Sequence, residues 1–151
     1  MKIIKLVTPG YEALVDDEDY ERLIRYRWKL VRSGSGNTDY ALSRDMRMHR
    51  VIMHVWDSRK VDHRDGNGLN NQKYNLRICT SGQNKANAVK YGKGKYKGVF
   101  PWGNKWRVYI GDKCGRMEYL GVFQDERVAA LAWNKRALEL HGEFARLNII
   151  E

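Results

Sequence analysis

Short apolar runs broken by turn residues dominate the chain from its first positions. Within residues 2–15, "KIIKLV" and "EALV" flank Pro9-Gly10 and predict two short strands joined by a turn. In "DDEDYERLIRYRW" a block of acids precedes apolar positions, which predicts a short helix capped by Asp16 or Asp17. The acids then fill the first turn, where the helix dipole favours negative charge, and Leu23, Ile24 and Trp28 face inward. "WKLV" and "DYALS" flank "RSGSGNT", a Ser/Gly/Asn segment suited to a hairpin loop. "MHRVIMHVW" mixes both periods and predicts only a helical turn or two.

The middle of the chain, "VDHRDGNGLNNQKYNLR" at residues 61–77, carries a Gly/Asn-dense loop between two extended ends. "RICTSGQNKANAVKY" continues as a brief strand and a helix from about Ser81, which reads as its N-cap. "GKGK" at 92–95 has no apolar residue and reads as a linker. Beyond it "YKGVF", "KWRVYIG" and "RMEYLGVF" are separated by "PWGN" and "DKCG", which predicts a three-stranded antiparallel meander. Trp106, Val108 and Ile110 alternate with Arg107 and Tyr109, so one face is apolar and the other cationic and aromatic. Asp125 caps "ERVAALAWNKRALELHG", with Val128, Leu131, Ala132 and Leu138 at helical spacing, and Gly142 stops it. That helix supplies the cover a small sheet needs.

Composition narrows the class. The 151 residues suffice for one ordinary domain or two small ones. There is no long apolar run, so a membrane partner is not expected, and the N-terminus lacks the apolar region of a secretory leader. Cys79 and Cys114 lie far apart, without a CxxC spacing, which predicts a reducing cytoplasm and no structural zinc. The net charge of +10 favours a polyanionic partner. Lys85, Lys90, Lys93, Lys95, Lys97, Lys105, Arg107, Lys113 and Arg116 crowd residues 81–117, where Asp112 is the only acid. A basic tract is also what a solvated surface looks like, so charge alone leaves the partner open.

The chemistry concentrates at the edges of the central loop. Hydrolysis of a phosphodiester needs a base to activate water, a cation to stabilise the charge on phosphorus and the leaving oxygen, and a group to fix the base. Asp62 and His63 place a carboxylate beside an imidazole at a strand end, where a bulge or fray lets both border one site. Asn75 stands opposite them, and Asn84 follows on the helix. Asn67, Asn70, Asn71 and Asp65 read most simply as turn chemistry. For His49 a phosphate contact competes with packing; His54 has no secure role, and His141 sits at a helix C-terminus, where a cation is favoured anyway.

Residues 49–90, with the DH pair, "GNGLNN", "NLR" and "QN", resemble the HNH homing-type endonucleases of phages and mobile introns. The resemblance implies an α+β fold with a ββα-metal core, His63 as general base and Asp62 and Asn84 as metal ligands. Asn75 would hold the loop and orient the base. Asn84 in place of a His leaves an oxygen-rich site suited to Mg²⁺, with Mn²⁺ as a substitute. In-line attack would give 3′-hydroxyl and 5′-phosphate ends.

Residues 96–148, through "YKGV", the "KW" strand, "YLGVF", "AALAW" and the final "LN", resemble the AP2 DNA-binding domain. This implies a sheet laid in the groove of double-stranded DNA, with Lys97, Arg107, Tyr109, Met117 and Tyr119 on its DNA side. Trp106, Val108, Ile110, Leu120 and Phe123 would pack beneath the helix. Lys93, Lys95, Lys105 and Arg116 add phosphate contacts. Phe100, Gly111 and Met117 depart from the arginine-rich plant pattern, which points to looser base readout. The organisation expected is therefore an N-terminal part of the nuclease at 1–48, a core at 49–91, a linker at 92–95 and a DNA-binding domain at 96–148. The function expected is a metal-dependent DNA endonuclease of a bacterial or phage-infected cell, nicking as a monomer or cutting both strands as a dimer. The rival is a non-catalytic DNA-binding regulator built on a degenerate nuclease core.

Overall fold

Period-two alternation and tight turns account for most of the strands. A computed structural model describes residues 1–32, 38–88, 94–112 and 114–151. Residues 33–37 of the expected hairpin loop, and Gly92 and Lys93 of the expected linker, lie outside the described residues; so does the DNA contact expected of Lys93. The chain forms two compact units, Met1–Thr80 and Ser81–Glu151. Each is a mixture of helices and small antiparallel sheets.

In the first unit, β1 (Lys2–Lys5) pairs with β2 (Glu12–Val15), turning through the left-handed Gly10. Helix α1 (Asp17–Leu23) follows, with Asp16 at its N-cap position and acids in its first turn. Leu23 and Trp28 are buried as the sequence pattern indicates, and Trp28 Nε1 donates to the Leu23 carbonyl at 2.8 Å. Ile24 instead is exposed, because it sits at the helix C-cap beyond the inward-facing turn. Strands β3 (Lys29–Arg32), β4 (Asp39–Ser43) and β5 (Met46–Arg47) form a meander, and β5 runs directly into the single-turn helix α2 (Met48–Ile52). A hairpin of β6 (Lys60–His63) and β7 (Leu76–Cys79) completes the unit. One core spans all of this, from Ile4, Ala13 and Val15 through Trp28 and Met48 to Ile52, Val61 and Leu76. Each fully buried aliphatic side chain contributes about 1.5–3 kcal/mol.

In the second unit, helix α3 (Ser81–Asn87) precedes a three-stranded sheet of β8 (Val99–Trp102), β9 (Lys105–Gly111) and β10 (Met117–Phe123) in the order β10-β9-β8. Helix α4 (Glu126–His141) covers one face. Asp125 caps it through its carboxylate, which accepts from Arg127 N and Val128 N. Val108 and Ile110 are buried beneath α4 with Trp106 packed against them, as the strand alternation predicts, and Leu120 and Phe123 of β10 join them.

The helix turns a different face inward from the one its bulky residues mark. Val128, Leu131 and Leu138 are exposed, while Ala129, Ala130, Trp133, Ala137 and His141 are buried. The small alanines let α4 lie close on the sheet, and Trp133 fills the remaining space against Gly98. A Cβ at Gly98 would stand 2.1 Å from Trp133 Nε1, so no other residue fits there without displacing the indole.

The expected core segment 49–91 crosses the division between the units. Helix α3 belongs with the C-terminal part, because its backbone is bonded there. Lys97 Nζ donates to the carbonyls of Ala86 at 2.7 Å, Ala88 at 2.9 Å and Lys85 at 3.4 Å, and Arg146 N donates to that of Ala86.

Candidate active site

The central loop is docked, not solvated. Leu14 on β2 accepts from Asn71 N at 2.8 Å and donates its own N–H to Leu69 O at 2.8 Å, forming a parallel bridge to the loop. Asp16 accepts from Lys73 N at 2.7 Å and from Gln72 Nε2, so its carboxylate binds the loop's far end and leaves its own helix uncapped. The N-terminal strands thus buttress the loop, a role the sequence left open. Gly68 is where loop and β4 meet: a Cβ there would lie 2.2 Å from the Asp39 carbonyl oxygen.

Asn75 organises the loop from inside. Its Nδ2 donates to Asp65 Oδ1 at 3.0 Å and to the Asn70 carbonyl at 2.8 Å, and its Oδ1 accepts from Asp65 N at 3.1 Å. Asp65 also accepts from Asn67 N and Asn70 Nδ2. Partial burial pushes the Asp65 carboxyl up, but the bonds from Asn67, Asn70 and Asn75 outweigh it and hold it below the usual carboxylate range. Asn75 therefore holds the loop, while its amide makes no hydrogen bond to the His63 ring.

His63 ends β6 and is 4% exposed. Its Nε2 lies 3.3 Å from Oδ1 of Asn71, a residue with no exposed surface. The ring packs edge-on against His49 at 4.9 Å between centroids and against Tyr40 at 5.9 Å. Burial depresses the proton affinity of His63; the Asn71 bond and the charges of Asp65 and Asp62 oppose that only in part. His49, on α2, is pushed down to about 2 by burial, then by His63, Arg47 and Arg50. Its Nδ1 is buried without a hydrogen-bond partner, and its ring packs against His63. His54 is exposed, at φ 51°.

Asp62 faces Arg77 across the hairpin. Arg77 Nε and Nη2 donate to Asp62 Oδ2 at 2.9 and 2.8 Å, with both side chains 7% exposed. Asp62 is thus half of a buried ion pair, while the neighbouring His63 binds Asn71 through its ring. Asn84 is exposed on α3, in the second unit. Among the described residues no three His, Cys, Asp or Glu side chains form a metal cage.

No protein-family profile matches the chain, and no solved structure does. A curated protein of Acanthamoeba polyphaga mimivirus, named "Uncharacterized HNH endonuclease", is 34% identical over 152 residues, spanning 94% of this chain and 77% of its own. The chain belongs to the HNH endonuclease family.

In this HNH protein, Asn71 is the residue that sequence reasoning missed. Two adjacent asparagines in a Gly-rich loop look alike, and both suit turns. The available signal was Leu69, an apolar loop residue packed against the core, which marks the loop as docked and its neighbours as inward-facing.

The second unit of the HNH protein carries most of the residues expected to touch DNA. The sheet face opposite α4 presents Phe100, Trp102, Lys105, Arg107, Tyr109, Met117 and Tyr119. Rings of Phe100, Tyr109 and Tyr119 contact one another across the strands at 6.2 and 5.2 Å, and the Arg107 guanidinium stacks on Trp102 at 3.5 Å. Arg116 is exposed at the sheet edge, bonded to Asp112. Lys95 is exposed and lies near Glu151 and the Tyr96 ring. Lys97 does not share this face. Its ammonium caps the last turn of α3 and lies over Trp133 on α4, and burial lowers its pKa to about 8. No helix among the described residues is long and apolar enough to cross a membrane.

Proposed function

We propose that the chain is a metal-dependent endonuclease that hydrolyses phosphodiester bonds of double-stranded DNA in the cytoplasm. The observation that carries this reading is His63: a buried imidazole, neutral at neutral pH, held by a side-chain hydrogen bond at the end of β6. Neutral imidazole is the form a general base needs, and the buried packing fixes its direction. His63 takes the proton of the attacking water, and Asn75 keeps the loop that frames the base in one conformation.

The donor set suits a hard divalent cation, Mg²⁺ or Mn²⁺. Asp62 would offer carboxylate oxygen, with the Arg77 guanidinium orienting it through Oδ2, and Asn84 is the second ligand that the family resemblance implies. Such a cation would neutralise the phosphate and stabilise the departing 3′-oxygen. The β6–β7 hairpin and α3 follow the ββα-metal order, and the second unit follows that of an AP2-like domain. DNA is held by Arg107, Lys105, Tyr109, Met117 and Tyr119 on the open sheet face, with Arg116 and Lys95 on phosphates.

Supercoiled plasmid incubated with Mg²⁺ or Mn²⁺ should be converted to open-circle or linear DNA by the wild type and left intact by His63→Ala. If the wild type binds the plasmid and leaves it uncut with either cation, the nuclease reading fails and a DNA-binding regulator takes its place.

A further inference from the structure

Of the three buried asparagines of the loop, Asn70, Asn71 and Asn75, only Asn71 is hydrogen-bonded to the His63 ring. Asn75 uses its whole amide on Asp65 and the Asn70 carbonyl. Asn71 is fixed from three directions: its backbone N–H by Leu14 O, its Nδ2 by the Gly68 carbonyl at 3.4 Å, and its Oδ1 by His63 Nε2 at 3.3 Å.

The polarity of this chain of contacts follows from what each group can do. The Gly68 carbonyl only accepts, so the amide nitrogen of Asn71 must face it; the flipped amide would set two oxygens against each other. Oδ1 therefore faces the imidazole, and a carbonyl-type oxygen can only accept. His63 Nε2 must then carry the proton. A neutral ring has one N–H, so its basic lone pair is on Nδ1. Packing removes the remaining freedom: Asn71 has no exposed surface, and His49 lies against the imidazole.

We infer that Asn71 is the positioning residue of the site, holding the His63 ring through Nε2 and fixing it as the Nε2–H tautomer. That this ring is the general base rests on the nuclease reading; the tautomer does not. The role expected of Asn75 is thereby divided: Asn75 shapes the loop, and Asn71 orients the base.

The test is a long-range ¹H–¹⁵N spectrum of the full chain labelled at histidine, without DNA or metal, above the pH at which His63 titrates. His63→Ala identifies the His63 signals. The wild type should show a pyrrole-type Nε2 and a pyridine-type Nδ1 for His63. Asn71→Leu keeps the volume and removes the acceptor, so the His63 signals should move toward a tautomer mixture. Asn71→Asp restores an acceptor and should restore the Nε2–H pattern. In plasmid cleavage Asn71→Leu should lower kcat at least ~10-fold with little change in KM, and Asn71→Asp should recover part of the loss. A wild-type His63 protonated on Nδ1 overturns the assignment, even if every Asn71 variant fails to fold. An Asn71→Leu spectrum with an unmoved Nε2–H pattern also overturns it. If the tautomer is as stated but the wild type leaves the plasmid uncut, the nuclease reading fails; if His63→Ala still cuts, His63 is not the base. In both cases the positioning of the ring stands.

Discussion

Acid should destabilise the first unit through His49, by an amount the structure sets. In the unfolded chain this imidazole titrates near 6.5; in the folded protein burial and the nearby His63, Arg47 and Arg50 hold it at about 2. Between those values the unfolded state binds more protons than the folded state, so stability rises with pH and falls as pH drops below 6.5. The loss continues until the folded group itself titrates. At pH 4.5, about two units into this window, the cost is about 3 kcal/mol, from roughly 1.4 kcal/mol per unit. That is a large fraction of the ~5–15 kcal/mol by which domains are stable. His49→Phe keeps an aromatic ring against Tyr40 and His63 and cannot titrate. Urea unfolding of both proteins, followed through the fluorescence of buried Trp28, gives the stability gap between them at pH 7.5 and pH 4.5. Packing changes cancel in the comparison across pH. The gap should move by about 2–3 kcal/mol in favour of the phenylalanine variant at the lower pH. A gap constant within ~0.5 kcal/mol would mean that His49 takes up its proton while folded, and the buried ring stack would be wrong.

Two further outcomes test the second unit. Arg107→Ala removes the guanidinium stacked on Trp102 and should weaken DNA binding, with the slope of log affinity against log salt reduced by about 1; fluorescence anisotropy over a salt series measures both. Lys97→Met should leave DNA affinity and salt slope as in the wild type, yet cost about 1–3 kcal/mol in urea unfolding, because the ammonium that caps three carbonyls near the end of α3 is lost.

Lys97 and Arg107 also show how far a linear reading reaches. Both are cations beside aromatic residues, and the sequence placed both on DNA. Strand alternation fixes Arg107 locally, since β9 has one face under α4 and the other open. Lys97 precedes β8 in a turn, where no period dictates direction, and its long stem follows the carbonyls of a helix ten residues earlier in the chain. In α4 the bulky residues are as regularly spaced as the alanines beside them. Which stripe is buried depends on how closely helix and sheet approach, a property of the Gly98–Trp133 contact and not of either segment alone.

By itself the sequence determined the strands, the capped helix α4, the Gly/Asn loop and the chemical candidates at its edges. These are set by neighbours a few residues apart: side-chain alternation, turn geometry and capping. Tertiary structure decided the rest. The Asp62–Arg77 pair, the His49–His63 stack, the clamp of β2 on the loop and the Asn71–His63 hydrogen bond all join residues brought together by one core. An asparagine in a turn and an asparagine holding a base have the same local sequence preferences. They differ in what stands on the other side, and only the folded chain supplies that.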